Sequence, residues 1–344
     1  MIKTGFNRYR IFQIICFAFP VFIPALADAV ILKIATLSPE GSGWMQKMRL
    51  GAKDVARRTD NRVRFKFYPG GVMGDDKTVL RKIRIGQLQG GAVVAGSLSK
   101  YFRDNQVYSL PLNFRSFEEV DYVRSKMDTT IIDGLKKGGF VTFGLAEGGF
   151  AYIMSNKPVL TIDDLRRQKM WVPDNDETTM EIVKSFGITP IPLSIADVRT
   201  GLQTGLIDTV ATPPIGAIAL QWHTQIKYLL DVPLVYIFAV MAVDRKVFEK
   251  ISPANQMIVR EVMERVFKDI DRENRKDNVK ALQVLRKQGV QFMKPSSEEL
   301  KQWYASASKI LKQMVIAGRL SEGIVQILEK NINDYRSGRF NADE

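Results

Sequence analysis

Residues 252–289 read SPANQMIVREVMERVFKDIDRENRKDNVKALQVLRKQG. Ser252 is a helix cap, Pro253 suits a first helical turn and Gly289 is a stop signal. The 36 positions from Pro253 to Gln288 predict one rod of roughly 54 Å at ~1.5 Å per residue. That is longer than one compact lobe needs. Ile258, Val262 and Phe267 make one end apolar, and Val279, Leu282 and Leu285 do the same for the other. The middle, Asp271 to Asn278, is almost wholly polar. Such a helix is expected to be buried at both ends, wet at its waist, and to bridge two bodies.

Upstream, strand and helix signals alternate twice. Ile31–Leu37 reads as a buried strand, and Gly41-Ser42-Gly43 opens a helix with Met45, Met48, Ala52 and Val55 on one face. Arg62–Tyr68 alternates strictly, with Val63, Phe65 and Phe67 on one side and cations on the other. Asp75 can cap a helix carrying Leu80, Ile83 and Ile85, and Gln89–Ala95 begins another strand. The second set runs from about 150 to 230. It has a strand at Lys169–Val172, a helix near Thr178–Phe186, an extended stretch at Ile188–Pro192, a helix capped by Asp197 and a strand at Leu206–Val210. The pattern predicts an α/β fold of two lobes with parallel, helix-covered sheets. Ala151–Ser155 and Val235–Val240 are the expected crossovers between the lobes. Ser296 with Glu299 forms a capping box for a later helix.

Residues 1–27 read as an address. Lys3, Arg8 and Arg10 precede an apolar run from Ile11 to Ile23, and Ala25-Leu26-Ala27 supplies small residues for cleavage. This is the pattern of a secretory signal peptide, cut after Ala27. A transmembrane anchor is disfavoured, because the run is short of ~20 residues and Pro20 interrupts it. The whole chain has 344 residues, one His (His223), one Cys (Cys16) and a net charge of +13. One His and one Cys exclude zinc fingers, iron–sulfur clusters and a disulfide framework. They also disfavour a Ser–His–Asp or Cys–His enzyme, and no cofactor or metal is called for. Lys and Arg are mixed with acids along the chain, so nucleic-acid binding is not expected.

Five motifs then carry a resemblance. They are Tyr68-Pro-Gly-Gly-Val-Met-Gly-Asp-Asp-Lys77, Leu110-Pro-Leu-Asn-Phe-Arg115, Asn156-Lys-Pro158 with Asp163-Asp164-Leu165, Lys169-Met-Trp-Val-Pro173 and Gly201-Leu-Gln-Thr-Gly-Leu-Ile-Asp208. In this order, behind an export signal and ahead of an overlong helix, they resemble the solute-binding proteins of tripartite ATP-independent periplasmic (TRAP) transporters, DctP type. The resemblance implies a periplasmic protein of two α/β lobes with crossing hinge strands and a long helix spanning both. It implies capture of a small solute, usually an organic acid, and its transfer to membrane-embedded permease subunits. Lobe I is expected at 28–150 plus about 235–270, and lobe II at 151–234 plus about 271–344.

The resemblance also shows departures. The family usually places Arg at the position of Trp171, where it grips a carboxylate as a two-point fork. A second Arg is common where Ala151 stands, and an Asn where Thr212 stands. Strand alternation keeps Trp171 facing the cleft. The expected solute is therefore larger, less acidic or partly aromatic, stacked on Trp171, with Trp44, Phe150, Tyr152 and Trp222 helping to line the pocket. Asp197 occupies a position that is often Glu in the family. Its plainer role, like that of Asp208, is to steady the helix–strand unit. Phe150 and Trp222 also have a plain structural reading, and His223 reads as an ordinary packed or surface residue.

The leading expectation is a binding protein, not an enzyme. An enzyme of similar form, a ligand-binding subunit for a membrane sensor and a carrier of a hydrophobic molecule are the alternatives.

Overall fold

The computed structural model describes residues 29–174 and 176–339. The export signal read at 1–27 lies outside them. The chain begins β1 (Val30–Thr36), α1 (Gly43–Arg58), β2 (Val63–Tyr68), α2 (Asp76–Arg84) and β3 (Gly90–Val94), followed by α3 (Phe117–Lys137) and β4 (Phe140–Val141). β5 (Leu145–Ser155) leads to α4 (Ile162–Arg166), β6 (Met170–Pro173), α5 (Glu177–Ser185), β7 (Pro190–Leu193), α6 (Val198–Thr204), β8 (Thr209–Thr212), α7 (Pro214–Ala219) and β9 (Tyr228–Leu230). β10 (Val235–Asp244) and α8 (Arg245–Phe248) precede α9 (Pro253–Lys287), β11 (Gln291–Met293), α10 (Ser297–Ile316) and α11 (Glu322–Arg336).

Strand order is β2-β1-β3-β10-β5-β8-β6-β7. β1 runs parallel to β2 and β3, and β6 runs parallel to β7 and β8. Between these trios lie β10 and β5, antiparallel to each other and to their neighbours β3 and β8. Two parallel units are thus joined by two long crossing strands. The crossovers expected at 151–155 and 235–240 are the second half of β5 and the first half of β10. β8 starts at Thr209, three residues later than expected. Gly205, at φ 70°, ends α6, and Asp208 turns its carboxylate to accept from Lys169 N at 2.7 Å.

One face of the sheet carries a continuous apolar core. It runs from Val79 and Leu98 through Phe150, Tyr236 and Phe238 to Met170, Val183 and Trp303. On the other face the core is split. Leu32, Met48, Val262 and Phe267 belong to one cluster, and Met154, Trp171, Trp222 and Leu285 to the other. α9 spans the split. Its first half buries Val259, Val262, Met263, Val266 and Phe267 against α1, and its second half buries Ala281 and Leu285. Val279, expected to be buried, is 54% exposed, because the inward stripe passes through Asn278, Ala281 and Leu285 instead.

The waist of α9 is not simply wet. Asp271 accepts from Glu147 N at 2.7 Å and from Arg124 Nη1 at 3.1 Å. Arg275 donates to both oxygens of Glu147, with Nη2 at 2.6 Å from Oε2, and reaches Asp121 as well. Asn274 bonds the Glu147 carbonyl, and Asn278 donates to that of Gly148 at 3.1 Å. The polar run is therefore a seam bonded to β5. The seam needs β5 to bulge: between Ile237 and Phe238 the pairing register skips Gly148. Gly149 stands at φ +99°, and a Cβ there would lie 2.6 Å from Asn278 Nδ2. Only glycine meets both conditions.

The C-terminal segment departs from the expected division. α11 lies against α3, beside the first trio, although it falls within the stretch assigned to lobe II. Buried Ile324, Val325, Leu328 and Ile332 join it to the continuous core.

Glu147 has no exposed side-chain surface in its pair with Arg275. Removing the cation leaves a buried charge uncompensated. Arg275→Met is expected to destabilise the fold by roughly 3–5 kcal/mol in urea titration. Adding Glu147→Leu should recover most of the loss; a double variant as unstable as the single one would contradict a pairwise charge effect.

Candidate functional site, the crevice between the parallel units

In open α/β sheets, ligands bind beyond the carboxyl ends of the parallel strands. Here those ends are Thr36, Tyr68 and Val94 on one side and Pro173, Leu193 and Thr212 on the other. β5 and β10 cross beneath.

On the first side β3 runs into a short 3-10 turn, Ala95–Leu98. Asp75 caps α2 by accepting from Thr78 N at 2.8 Å, which places Asp76 in the first turn. Asp76 is 4% exposed and accepts from Val94 N at 3.0 Å and from Ser97 Oγ at 2.9 Å. Burial pushes its carboxyl up to about 6, against the pull of those two hydrogen bonds. Behind the turn, Asn105 donates to Ala95 O at 2.6 Å.

On the second side, Asp176 caps α5. It accepts from Thr179 N at 2.9 Å and from Thr179 Oγ1 at 2.7 Å. The two sides touch here. Gln106 Nε2 donates to Asp176 at 3.2 Å, and Lys100 pairs with Glu177 at 3.1 Å. A Cβ on Gly96 would lie 2.4 Å from Asp176 Oδ2, so the approach requires glycine at that position.

The residues singled out by sequence fall in several places. Trp171 lies on the face of β6 opposite Met170 and Val172, as alternation predicts. It is 7% exposed, its Nε1 donates to Leu193 O at 3.0 Å, and its ring meets Trp222 edge-on at 5.2 Å. The two indoles form a packed pair, with Val198 and Leu202 in the same cluster. Tyr152 is half-buried and pairs across β5 and β8 with Thr212, which is buried. Trp44 is half-buried in the first turn of α1, against the cluster of Met48 and Phe267. Phe150 packs against Phe117 at 4.9 Å and Tyr236 at 5.8 Å, inside the continuous core. Its neighbours are therefore core side chains, in line with its structural reading. Asp197 precedes α6 but makes no side-chain cap bond, because Ser194 Oγ donates to its Oδ2 at 2.7 Å and holds it outward. His223 Nδ1 lies 3.0 Å from Ala217 O, an ordinary packing role.

The sequence matches the family described as "Bacterial extracellular solute-binding protein, family 7" (DctP) over residues 34–317. The chain belongs to this family. The C4-dicarboxylate-binding periplasmic protein DctP of Rhodobacter capsulatus is 24% identical over 295 residues, which is 82% of this chain and 85% of that one. The sialic acid-binding periplasmic protein SiaP of Vibrio cholerae is 21% identical over 243 residues, or 69% of this chain and 74% of that one. A sugar acid binding protein of Advenella mimigardefordensis, solved with galactonate, superposes with a TM-score of 0.81 at 18% identity, covering 89% of this chain and 99% of that one. A TRAP periplasmic solute-binding protein of Desulfovibrio salexigens, solved with orotic acid, gives 0.80 at 19% identity, covering 88% and 99%. The two-lobed fold and the assignment to the DctP type of TRAP solute-binding proteins are thereby established. This family 7 protein is a solute receptor and not an enzyme.

Sequence reasoning passed over Asp76, Gly96, Gln106 and Asp176. Two acid pairs were a usable signal. Asp75-Asp76 follows a Gly turn, and Asp174 and Asp176 follow β6 directly. Each pair stands where a parallel unit meets the crevice.

The unfolded Asp76 carboxyl loses its proton near 3.8 and the folded one near 6. Between those values the folded state holds more protons, so its contribution to stability is full below 3.8 and lost as pH rises through 6. Asp76→Asn should remove this slope. The difference in unfolding free energy between parent and variant, measured from pH 3.5 to 7, should change by roughly 3 kcal/mol. A difference that stays flat across the window would refute a buried, proton-holding Asp76.

Proposed function

We propose that this chain is the extracytoplasmic solute-binding subunit of a TRAP-type transporter, and that its solute is less acidic than those of the relatives named above. The reading has it exported by residues 1–27 with cleavage after Ala27. It captures a small organic solute in the crevice between the lobes and hands it to membrane-embedded permease subunits. Among the described residues no helix is long and apolar enough to cross a membrane, so the spanning step falls to those partners. The lobe division that goes with this reading is 28–150 plus about 235–270, against 151–234 plus about 271–344, with α10 set on the second lobe through Trp303 and α11 reaching back to α3 of the first.

One observation carries the choice of solute. Within β6, where the resemblance implies a guanidinium, the chain has an indole packed on a second indole. Ala151 and Thr212 stand at two further positions where the family commonly has Arg and Asn. A carboxylate brought to this wall finds no fork to grip it, and desolvating it unpaired is costly. The wall offers apolar surface instead, from half-buried Tyr152 and an edge of Trp171 backed by the buried Trp222, with Trp44 on the first unit and the Thr212 hydroxyl as a polar point.

A thermal-shift screen tests this. A true solute at ~100 times its dissociation constant adds about 2.7 kcal/mol and raises the melting temperature visibly. Succinate, galactonate and orotate are each expected to give no shift at millimolar concentration. A clear shift with any of them, retained in Trp171→Phe, would overturn the reading.

A further inference from the structure

We propose that the solute carries a protonated nitrogen, and that Gln106 and Asp176 receive it where the two lobes meet. This rests on the reading of the crevice as the solute site and names the chemistry that the site selects.

The first argument is charge. The segments that leave the six parallel strands are residues 37–40, 69–72, 95–98, 174–176, 194–197 and 213–216. They contain Glu40, Asp174, Asp176 and Asp197, and neither Lys nor Arg. Glu40 is matched by Arg49 at 2.5 Å. Asp76 and Asp176 are buried and form no ion pair among the described residues; all their hydrogen-bond donors there are neutral. Three cations beside this corner, Lys100, Arg319 and Lys77, act on Glu177, and Lys100 is 75% exposed in its pair with it. At Asp76 and Asp176 the acidic side chains are thus met by neutral donors and by no paired cation among the described residues.

The second argument is hydrogen bonding. Gln106 is 6% exposed; its amide nitrogen bonds Asp176, and its Oε1 has no donor. Asn105, fully buried beside it, also leaves its Oδ1 without a donor. A buried acceptor left unpaired is unfavourable. Acceptors without donors, beside a carboxylate without a cation, call for a ligand that brings N–H groups and positive charge together. A carboxylate would add acceptors to acceptors. A hydroxyl would fill a lone pair but leave Asp176 unmatched. An ammonium, amidinium or guanidinium group does both. The raised Asp76 carboxyl agrees, since a nearby cation would draw it back toward the ionised form.

The test uses the full chain, unfolded in guanidinium to release bound solute and then refolded. Melting temperature is read with phenethylamine, agmatine and putrescine, with 2-phenylethanol as a neutral probe, and with succinate, galactonate and orotate as acids. At least one amine should raise it and no acid should. Calorimetry should then show that amine binding at least tenfold weaker in Asp176→Asn, which keeps an acceptor for the α5 cap, and in Gln106→Met. If one variant does not fold, the other is read alone. A shift with an acid overturns this inference, and one retained in Trp171→Phe overturns the less acidic solute of the proposed function as well. A shift with 2-phenylethanol alone overturns this inference and leaves the less acidic solute standing. Amine binding that survives both substitutions overturns it too. If no probe shifts the melting temperature, mass spectrometry of the solute released on unfolding decides: a basic nitrogen supports the inference, and its absence overturns it.

Discussion

A carboxylate in the middle of a sheet must be answered, and Glu147 is answered from three directions. It sits on β5 where that strand passes between the two parallel units, with no exposed side-chain surface. Arg275 of α9 grips both its oxygens, and Tyr236 of β10 donates to Oε2 at 3.0 Å. α3 closes the ring. Asp121 shares Arg275, and Arg124 joins the Tyr236 hydroxyl to Asp271. Burial still pushes the Glu147 carboxyl above its usual range, although Arg275 pulls it down. Such a network fixes relative placement more than it adds net stability, because each charge is desolvated to make it. The four elements that meet there can settle in one register.

The crevice inherits that register. Beyond Glu147 the strand bulges at Gly148 and turns through Gly149, and its side chains then pass into the second unit. Tyr152 is carried beside Thr212, and Met154 into the cluster that holds both indoles. On the far side, the 3-10 turn at Gly96 is tied down by Asp76 and meets Asp176. Besides the continuous apolar core, the lobes are joined by two polar contacts of different character. Behind lies a buried ionic seam, and in front lie one amide contact and one exposed ion pair. Exposed pairs contribute little, so the front contact is the one that a modest binding energy can make or break.

Much of this was written in the sequence. The helix caps Asp75, Ser252 and Ser296 all accept from the expected third backbone N–H. The alternation of Arg62–Tyr68 and the opposite facing of Trp171 follow from strand geometry alone. The waist of α9 did not read correctly, for a physical reason. Periodicity assigns polar residues to water, and it has no means of knowing that a buried carboxylate lies opposite. The same limit hid Gln106 and Asp176, whose importance comes from a contact over 70 residues of chain. The aromatic residues fall in different places. Trp171 and Trp222 are near each other, but Phe150 points to the continuous core, because the bulge at Gly148 resets which face it occupies.

The stiffness of α9 has a reach beyond the crevice. A rod of roughly 52 Å, clamped at its midpoint, works as a lever. A flex of only ten degrees at the clamp would swing either tip by roughly 4–5 Å relative to the other half. The first and last residues of α9, Pro253 and Lys287, are exposed. Any change of angle between the two halves would therefore be magnified at these two surface points.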